Sequence, residues 1–226
     1  MKCIASVSFG KDSLAMLILI IKNNLPLDEV VFYDTGMEFA AIYNIRDKVK
    51  IWLKHLGVKY TELKPAMDFK NKMYNYPHQS RKGETKQGYG WCGGACRWGT
   101  GEKLRTIEKY CNGEEVHQYI GIALDEKPRL ERLKGSNKSS PLADFGYTEK
   151  MALELCYNEG FDWNEDGVEL YSILDRVSCW CCRNKNLKEL ANYKTYLPNY
   201  FNKLIELENI IGEPMKKPIY LKDRFK

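Results

Sequence analysis

A short, mostly apolar run, Cys3 to Val7, passes straight into the hexapeptide Ser8-Phe9-Gly10-Lys11-Asp12-Ser13, and the chain turns apolar again from Leu14 to Ile21. This strand, polar turn and buried helix constrain the fold more than any other feature. Successive backbone N–H groups in such a turn form a concave nest for an anion, and the helix N-terminus adds partial positive charge. Gly10 lets the backbone approach a phosphate closely, Lys11 supplies a point charge, and Ser8 and Ser13 supply hydroxyls. The segment is not a Walker A loop, which needs Gly five residues before the Gly-Lys pair and Ser or Thr after the Lys. Those positions hold Ala5 and Asp12.

The alternation continues. Val30–Tyr33 reads as a buried strand ending at Asp34-Thr35-Gly36. Residues 39–56 carry helical periodicity through Ile42, Ile45, Val49, Trp52, Leu53 and Leu56, with Gly57 as the stop, and Lys59–Leu63 reads as a third strand. Strand–helix alternation of this kind predicts an α/β fold with a doubly wound, mainly parallel sheet. Further on, 67–101 is rich in Lys, Gly, Tyr and Trp with weak periodicity and reads as a loop-rich insertion. Residues 102–110 read as a helix, 117–124 as a strand, 134–140 as a polar loop, 148–158 as a helix capped by Thr148, and 162–167 as a turn. Residues 187–211 read as one or two helices broken at Pro198. The expected organisation is a nucleotide-binding domain over 1–185, including the insertion, followed by a helical extension over 186–226.

Composition sets limits. A chain of 226 residues with 44% hydrophobic content can bury a core, and a net charge of +5 suits anionic substrates without demonstrating nucleic-acid binding. The longest apolar run, Leu14–Ile21, is far short of the about 20 residues that a spanning helix needs. No signal-peptide pattern is visible at Met1-Lys2-Cys3-Ile4, so a cytoplasmic location with no membrane partner is expected.

Five of the eight cysteines fall in two tight groups, Cys92/Cys96 and Cys179/Cys181/Cys182. Grouped cysteines in a reducing compartment point to metal ligation or redox catalysis rather than disulfides. Cys92, Cys96, Cys179 and Cys182 form the expected ligand set, because Cys179 and Cys182 have the spacing that wraps a tetrahedral metal. Cys181 is spare or substitutes for Cys182. Four thiolates take Zn²⁺ or an iron–sulfur cluster, and spacing alone leaves both open. Cys3, Cys111 and Cys156 read as core residues, and His55 and His117 as structural.

At Ser8, Phe9, Gly10, Asp12 and Ser13 the chain resembles the PP-loop superfamily of ATP pyrophosphatases and phosphoadenosine phosphosulfate (PAPS) reductases, with Phe9 as the reductase-like variant. The likeness extends to Asp34-Thr35-Gly36, to Gly121-Ile122 with Asp125-Glu126 and Arg129, and to Ser140-Pro141-Leu142-Ala143-Asp144 with Thr148-Glu149. It implies an adenine nucleotide α-hydrolase-like fold. The nucleotide would be bound by Ser8, Phe9, Gly10, Lys11, Asp12, Ser13, Asp34, Thr35, Gly36 and Gly121. Lys11, Asp12 and Arg129 are the expected catalytic residues, with Arg132 a second candidate phosphate clamp. The nucleotide is ATP, with Mg²⁺, or PAPS.

Several thiolation enzymes and some sulfonucleotide reductases of the superfamily carry a [4Fe–4S] cluster, so the resemblance tips the metal toward iron–sulfur over structural Zn²⁺. The reductases place their attacking thiol in a Glu-Cys-Gly-Leu-His motif, which is absent here; no cysteine follows Cys182. ATP pyrophosphatase chemistry driving sulfur transfer to a nucleic acid or small molecule is therefore expected, with sulfonucleotide reduction and a nucleotide sensor as alternatives. A sulfur-donor protein and a homodimer are candidate partners. Tyr74, Tyr76, His78, Arg81, Lys82, Lys86, Tyr89 and Trp91 make a basic, aromatic-interleaved stretch that suits stacked bases or a solvated loop equally.

Overall fold

The computed structural model describes residues 1–80 and 82–226, with Trp98 described by its backbone alone. The chain divides into two compact units, one of residues 1–34, 40–63 and 105–163, the other of 35–39, 64–104 and 164–226. The stretch expected as an insertion and the one expected as a C-terminal extension thus both belong to the second unit.

The first unit is built on a five-stranded sheet: β1 (Lys2–Val7), β2 (Glu29–Tyr33), β3 (Lys59–Leu63), β4 (Val116–Ile120) and β5 (Lys138–Ser139). Their order is β3-β2-β1-β4-β5, with every neighbouring pair parallel. Parallel strands need crossovers, supplied by α1 (Lys11–Lys22), α2 (Ala40–His55) and α3 (Glu102–Cys111), whose residues from Arg105 onward lie in this unit. The direction of winding reverses between β1 and β4, which makes the sheet doubly wound, as expected. Ligands of such sheets bind outside the carboxyl ends of the strands at that reversal.

Burial explains the wrapping. All residues of β2 are buried, as continuous apolar runs in parallel sheets require. Ile4, Val31, Tyr33 and Val116 form one core cluster with Ile107 of α3, and half-buried Cys111 packs against it. Helix α1 is buried from Ser13 to Ile20 and packs against α4 (Glu149–Asn158). The Thr148 side chain caps α4 by accepting from the Met151 amide, as the sequence predicts.

Boundaries differ in three places. Helix α1 begins at Lys11 rather than Leu14, β4 stops at Ile120 rather than 124, and 138–139 forms an edge strand where a loop is expected. The second unit contains α5 (Leu187–Tyr196) and α6 (Pro198–Ile211), broken at Pro198 as expected. The stretch expected to be loop-rich holds a helix at Phe69–Tyr74 and an antiparallel hairpin of Pro77–Gln79 and Thr85–Gln87. No helix among the described residues is long and apolar enough to cross a membrane.

Candidate functional site

In the first unit, β1 delivers Ser8 to Ser13 at the carboxyl edge of the sheet. The Ser8 amide donates to Ser13 Oγ at 3.1 Å, and Ser13 Oγ donates to the Gly10 carbonyl at 3.1 Å. The two serines thus brace the turn across its mouth. Gly10 is the N-cap of α1 and brings no side-chain acceptor, so the first amides of the helix are not capped by a side chain from that position. Phe9 adopts φ 57°, a left-handed conformation rare for a residue with a side chain. Its ring is fully buried 5.0 Å from Phe32, and its carbonyl accepts from the Trp163 indole N–H at 2.8 Å. These contacts hold a strained residue where Gly would otherwise be favoured.

Gly121 follows β4 across the reversal point. A Cβ there would stand 2.8 Å from the backbone of Asp12 and Ser13. Only glycine lets the two strand ends come this close, which brings the expected residues Gly10, Lys11, Asp12, Ser13 and Gly121 together.

Lys11 is buried, and its ammonium donates to Asp12 Oδ1 at 2.8 Å and Glu149 Oε2 at 2.6 Å. Burial lowers the lysine's pKa, but the two carboxylates outweigh it and raise it, so Lys11 stays charged. For Asp12 burial is the largest influence and raises its pKa against the opposing pull of Lys11. Glu149 begins α4 and carries a backbone amide that donates to Asp125 at 3.2 Å. Glu149 falls in a stretch that carries the family resemblance but was given no role at the site, because local sequence does not reveal a partner 138 positions away.

Asp34 follows directly on β2, is buried, and accepts from the Tyr43 hydroxyl at 2.8 Å. Thr35 and Gly36 fall in the second unit. Arg129 is paired with Glu126, and Arg132 is exposed with its Nε on the Pro128 carbonyl. Cys156 is buried against the Lys11 carbonyl, and burial pushes its thiol up to about 12. His55 is exposed, whereas His117 bonds to Ser139 Oγ at 2.8 Å.

In the second unit a cavity of about 310 Å³ is lined by Cys92, Cys96, Cys179, Cys181 and Cys182. Asn184 ties the two cysteine segments together: it accepts from the Gly94 amide at 2.8 Å and donates to the Gly94 carbonyl at 2.9 Å. Thr35 Oγ1 donates to Glu38 at 2.8 Å and lies 3.5 Å from Cys179 Sγ. Cys181 is buried. Among the described residues none of the eight cysteines is in a disulfide, and no three His, Cys, Asp or Glu side chains are grouped to hold a metal ion. Of the basic, aromatic stretch, Tyr76, His78 and Tyr89 form one stack, while Arg81 lies outside the described residues.

Known proteins with related sequences bear on the site. The family model of the phosphoadenosine phosphosulfate reductase domain matches residues 2–122, a stretch holding β1 to β4, the phosphate loop and Gly121. An uncharacterized protein of Methanocaldococcus jannaschii is 26% identical over 231 residues, an alignment covering 93% of this chain and 41% of that protein. The chain thus spans less than half the length of that relative.

Proposed function

The chain belongs to the phosphoadenosine phosphosulfate reductase domain family, and on that premise we propose that it binds ATP at Ser8–Ser13 and cleaves it between the α and β phosphates to drive sulfur transfer to an acceptor. The observation that carries this reading is the loop's placement at the sheet reversal, with Gly121 removing all side-chain bulk from its floor. Lys11 would neutralise phosphate charge once the nucleotide displaces a carboxylate from it. Asp12 would orient the loop and share in holding Mg²⁺. Arg129 would leave Glu126 to clamp phosphate.

The cysteine cavity is proposed as a metal centre held by Cys92, Cys96, Cys179 and Cys182, with Cys181 in reserve. The support is the chemistry of the donors: soft sulfur side chains on two segments tied by Asn184 line one cavity, and metal binding would have to draw them together, since no three of them stand grouped for an ion among the described residues. Four thiolates suit Zn²⁺ and a [4Fe–4S] cluster alike, and the resemblance to thiolation enzymes of the superfamily is what favours the cluster. Such a cluster supplies, when bound, an iron–sulfur surface suited to handling sulfide. Eight cysteines outside disulfides suit a reducing compartment, which supports a cytoplasmic location.

Sulfonucleotide reduction is the competing reading, and it requires an accessible thiolate to attack the sulfonucleotide sulfur. Cys181, the cysteine that the ligand set leaves over, is only 3% exposed, which favours ATP. The test runs pyrophosphate release from ATP with candidate acceptors beside sulfite release from PAPS with a reduced thiol donor. Pyrophosphate release is expected. Sulfite formation that disappears in Cys181→Ser would overturn the assignment.

A further inference from the structure

The hairpin of the second unit presents a surface that neither the nucleotide loop nor the cysteine cavity uses. We propose that the cleft of about 370 Å³ lined by Tyr76, Pro77, His78, Gln79, Thr85 and Tyr89 is a stacking platform for the bases of a single-stranded nucleic acid. This names the acceptor class of the sulfur-transfer reading and rests on that reading for its chemical purpose.

The rings are already arranged as a stack. His78 lies on Tyr89 with centroids 3.9 Å apart and planes 21° from parallel, and Tyr76 lies 6.0 Å from Tyr89 at 16°. Tyr76 is exposed, so a flat face remains open to solvent. A base offers a π-face to such rings whatever its identity, which gives affinity without sequence preference.

The charges suit a phosphate backbone. Register places Lys86 directly opposite His78, on the same face of the hairpin. Lys82 is exposed at the tip, and the Arg97 guanidinium sits 5.3 Å from the Tyr89 ring. Glu84 offsets Lys86 weakly, since that pair is exposed and 3.8 Å apart.

The platform is also rigid at its base. The Gly88 amide donates to the Tyr76 carbonyl at 2.9 Å, and the Tyr89 amide donates to the Lys72 carbonyl at 3.0 Å. A Cβ at Gly88 would fall 2.2 Å from the Met73 carbonyl oxygen, so the hairpin lies directly on the backbone of the Phe69–Tyr74 helix. The rings therefore need little ordering on binding.

Fluorescence anisotropy with labelled twelve-nucleotide oligo-U and oligo-dT, and with a duplex of the same length, tests the proposal on the full chain. Both single strands should bind more tightly than the duplex, and their relative affinity assigns RNA or DNA. Tyr76→Ala should weaken binding by about ten-fold or more, and Tyr76→Trp should restore it. The double substitution Lys82→Ala/Lys86→Ala should flatten the salt dependence. Duplex binding equal to single-strand binding, or Tyr76→Ala binding unchanged, would overturn the platform. Pyrophosphate release from ATP is measured separately on the same variants. Loss of that activity in the parent chain counts against the ATP reading, not against the platform.

Discussion

The indole N–H of Trp163 reaches the carbonyl of Phe9 at 2.8 Å, across 154 positions of sequence. It fastens the strained residue of the phosphate loop to a segment beyond α4. Trp163→Phe keeps most of the ring and removes the donor, leaving a buried carbonyl unsatisfied. A loss of about 1–3 kcal/mol of stability is expected from denaturant unfolding, together with weaker ATP binding by calorimetry. Phe9→Gly relieves the left-handed strain but empties a packed site, so it should destabilise by a few kcal/mol, since losing a buried Phe ring costs about 3–5 kcal/mol. A Phe9→Gly protein as stable as the parent would show that the ring has no packing role.

Gly121→Ala tests the floor of the loop. Its methyl would meet backbone rather than a flexible side chain, so the loop must shift. Nucleotide affinity should fall by about ten-fold or more, with a stability cost of about 1–3 kcal/mol for overpacking. Unchanged calorimetric affinity would separate Gly121 from the nucleotide site.

The pair of carboxylates on Lys11 gives a prediction of opposite sign. A phosphate must compete with Asp12 and Glu149 for the ammonium. Glu149→Gln should therefore tighten nucleotide binding several-fold, while Lys11→Met should weaken it. Weaker binding in Glu149→Gln would instead make Glu149 a direct participant, for instance through a bound cation.

Glu29 supplies a pH signature unconnected with function. Burial alone would raise its pKa, but hydrogen bonds from Lys2, Thr61, Tyr110 and Lys59 outweigh burial and lower it from 4.5 to about 2. The stabilisation is therefore complete above the unfolded value and is lost as pH falls from about 4.5 through about 2. The shift corresponds to about 3 kcal/mol. Glu29→Gln should lose that amount at neutral pH and should show a shallower decline in acid, read by urea unfolding at several pH values.

Much of the first unit was legible because its signals are local. Strand β3 has the bounds its sequence suggests, and Thr148 caps α4 where the side-chain chemistry places it. The start of α1 was hidden because Lys11, Asp12 and Ser13 are polar residues in a first turn whose cap, Gly10, has no side chain. Gly121 was legible by motif alone; that it touches the Asp12 backbone was not. In the second unit the helices on either side of Pro198 were legible, but its assembly was not, since 35–39, 64–104 and 164–226 share no local pattern that announces their association. The hairpin at 77–87 lacks the apolar alternation that marks a strand, and Glu149, Trp163 and Asn184 act through partners that only the folded chain supplies.

Asn184 joins two cysteine segments that the ribosome makes at different times. Gly94 precedes it by 90 positions, a delay of roughly 5–20 s at typical synthesis rates. For that interval Cys92 and Cys96 leave the ribosome without their counterparts, offering two sulfurs to any stray ion. The complete set of thiols arises only after Asn184 has emerged and closed on Gly94. The cavity is thus a late product of synthesis, and nothing can occupy it as a whole until both segments are made.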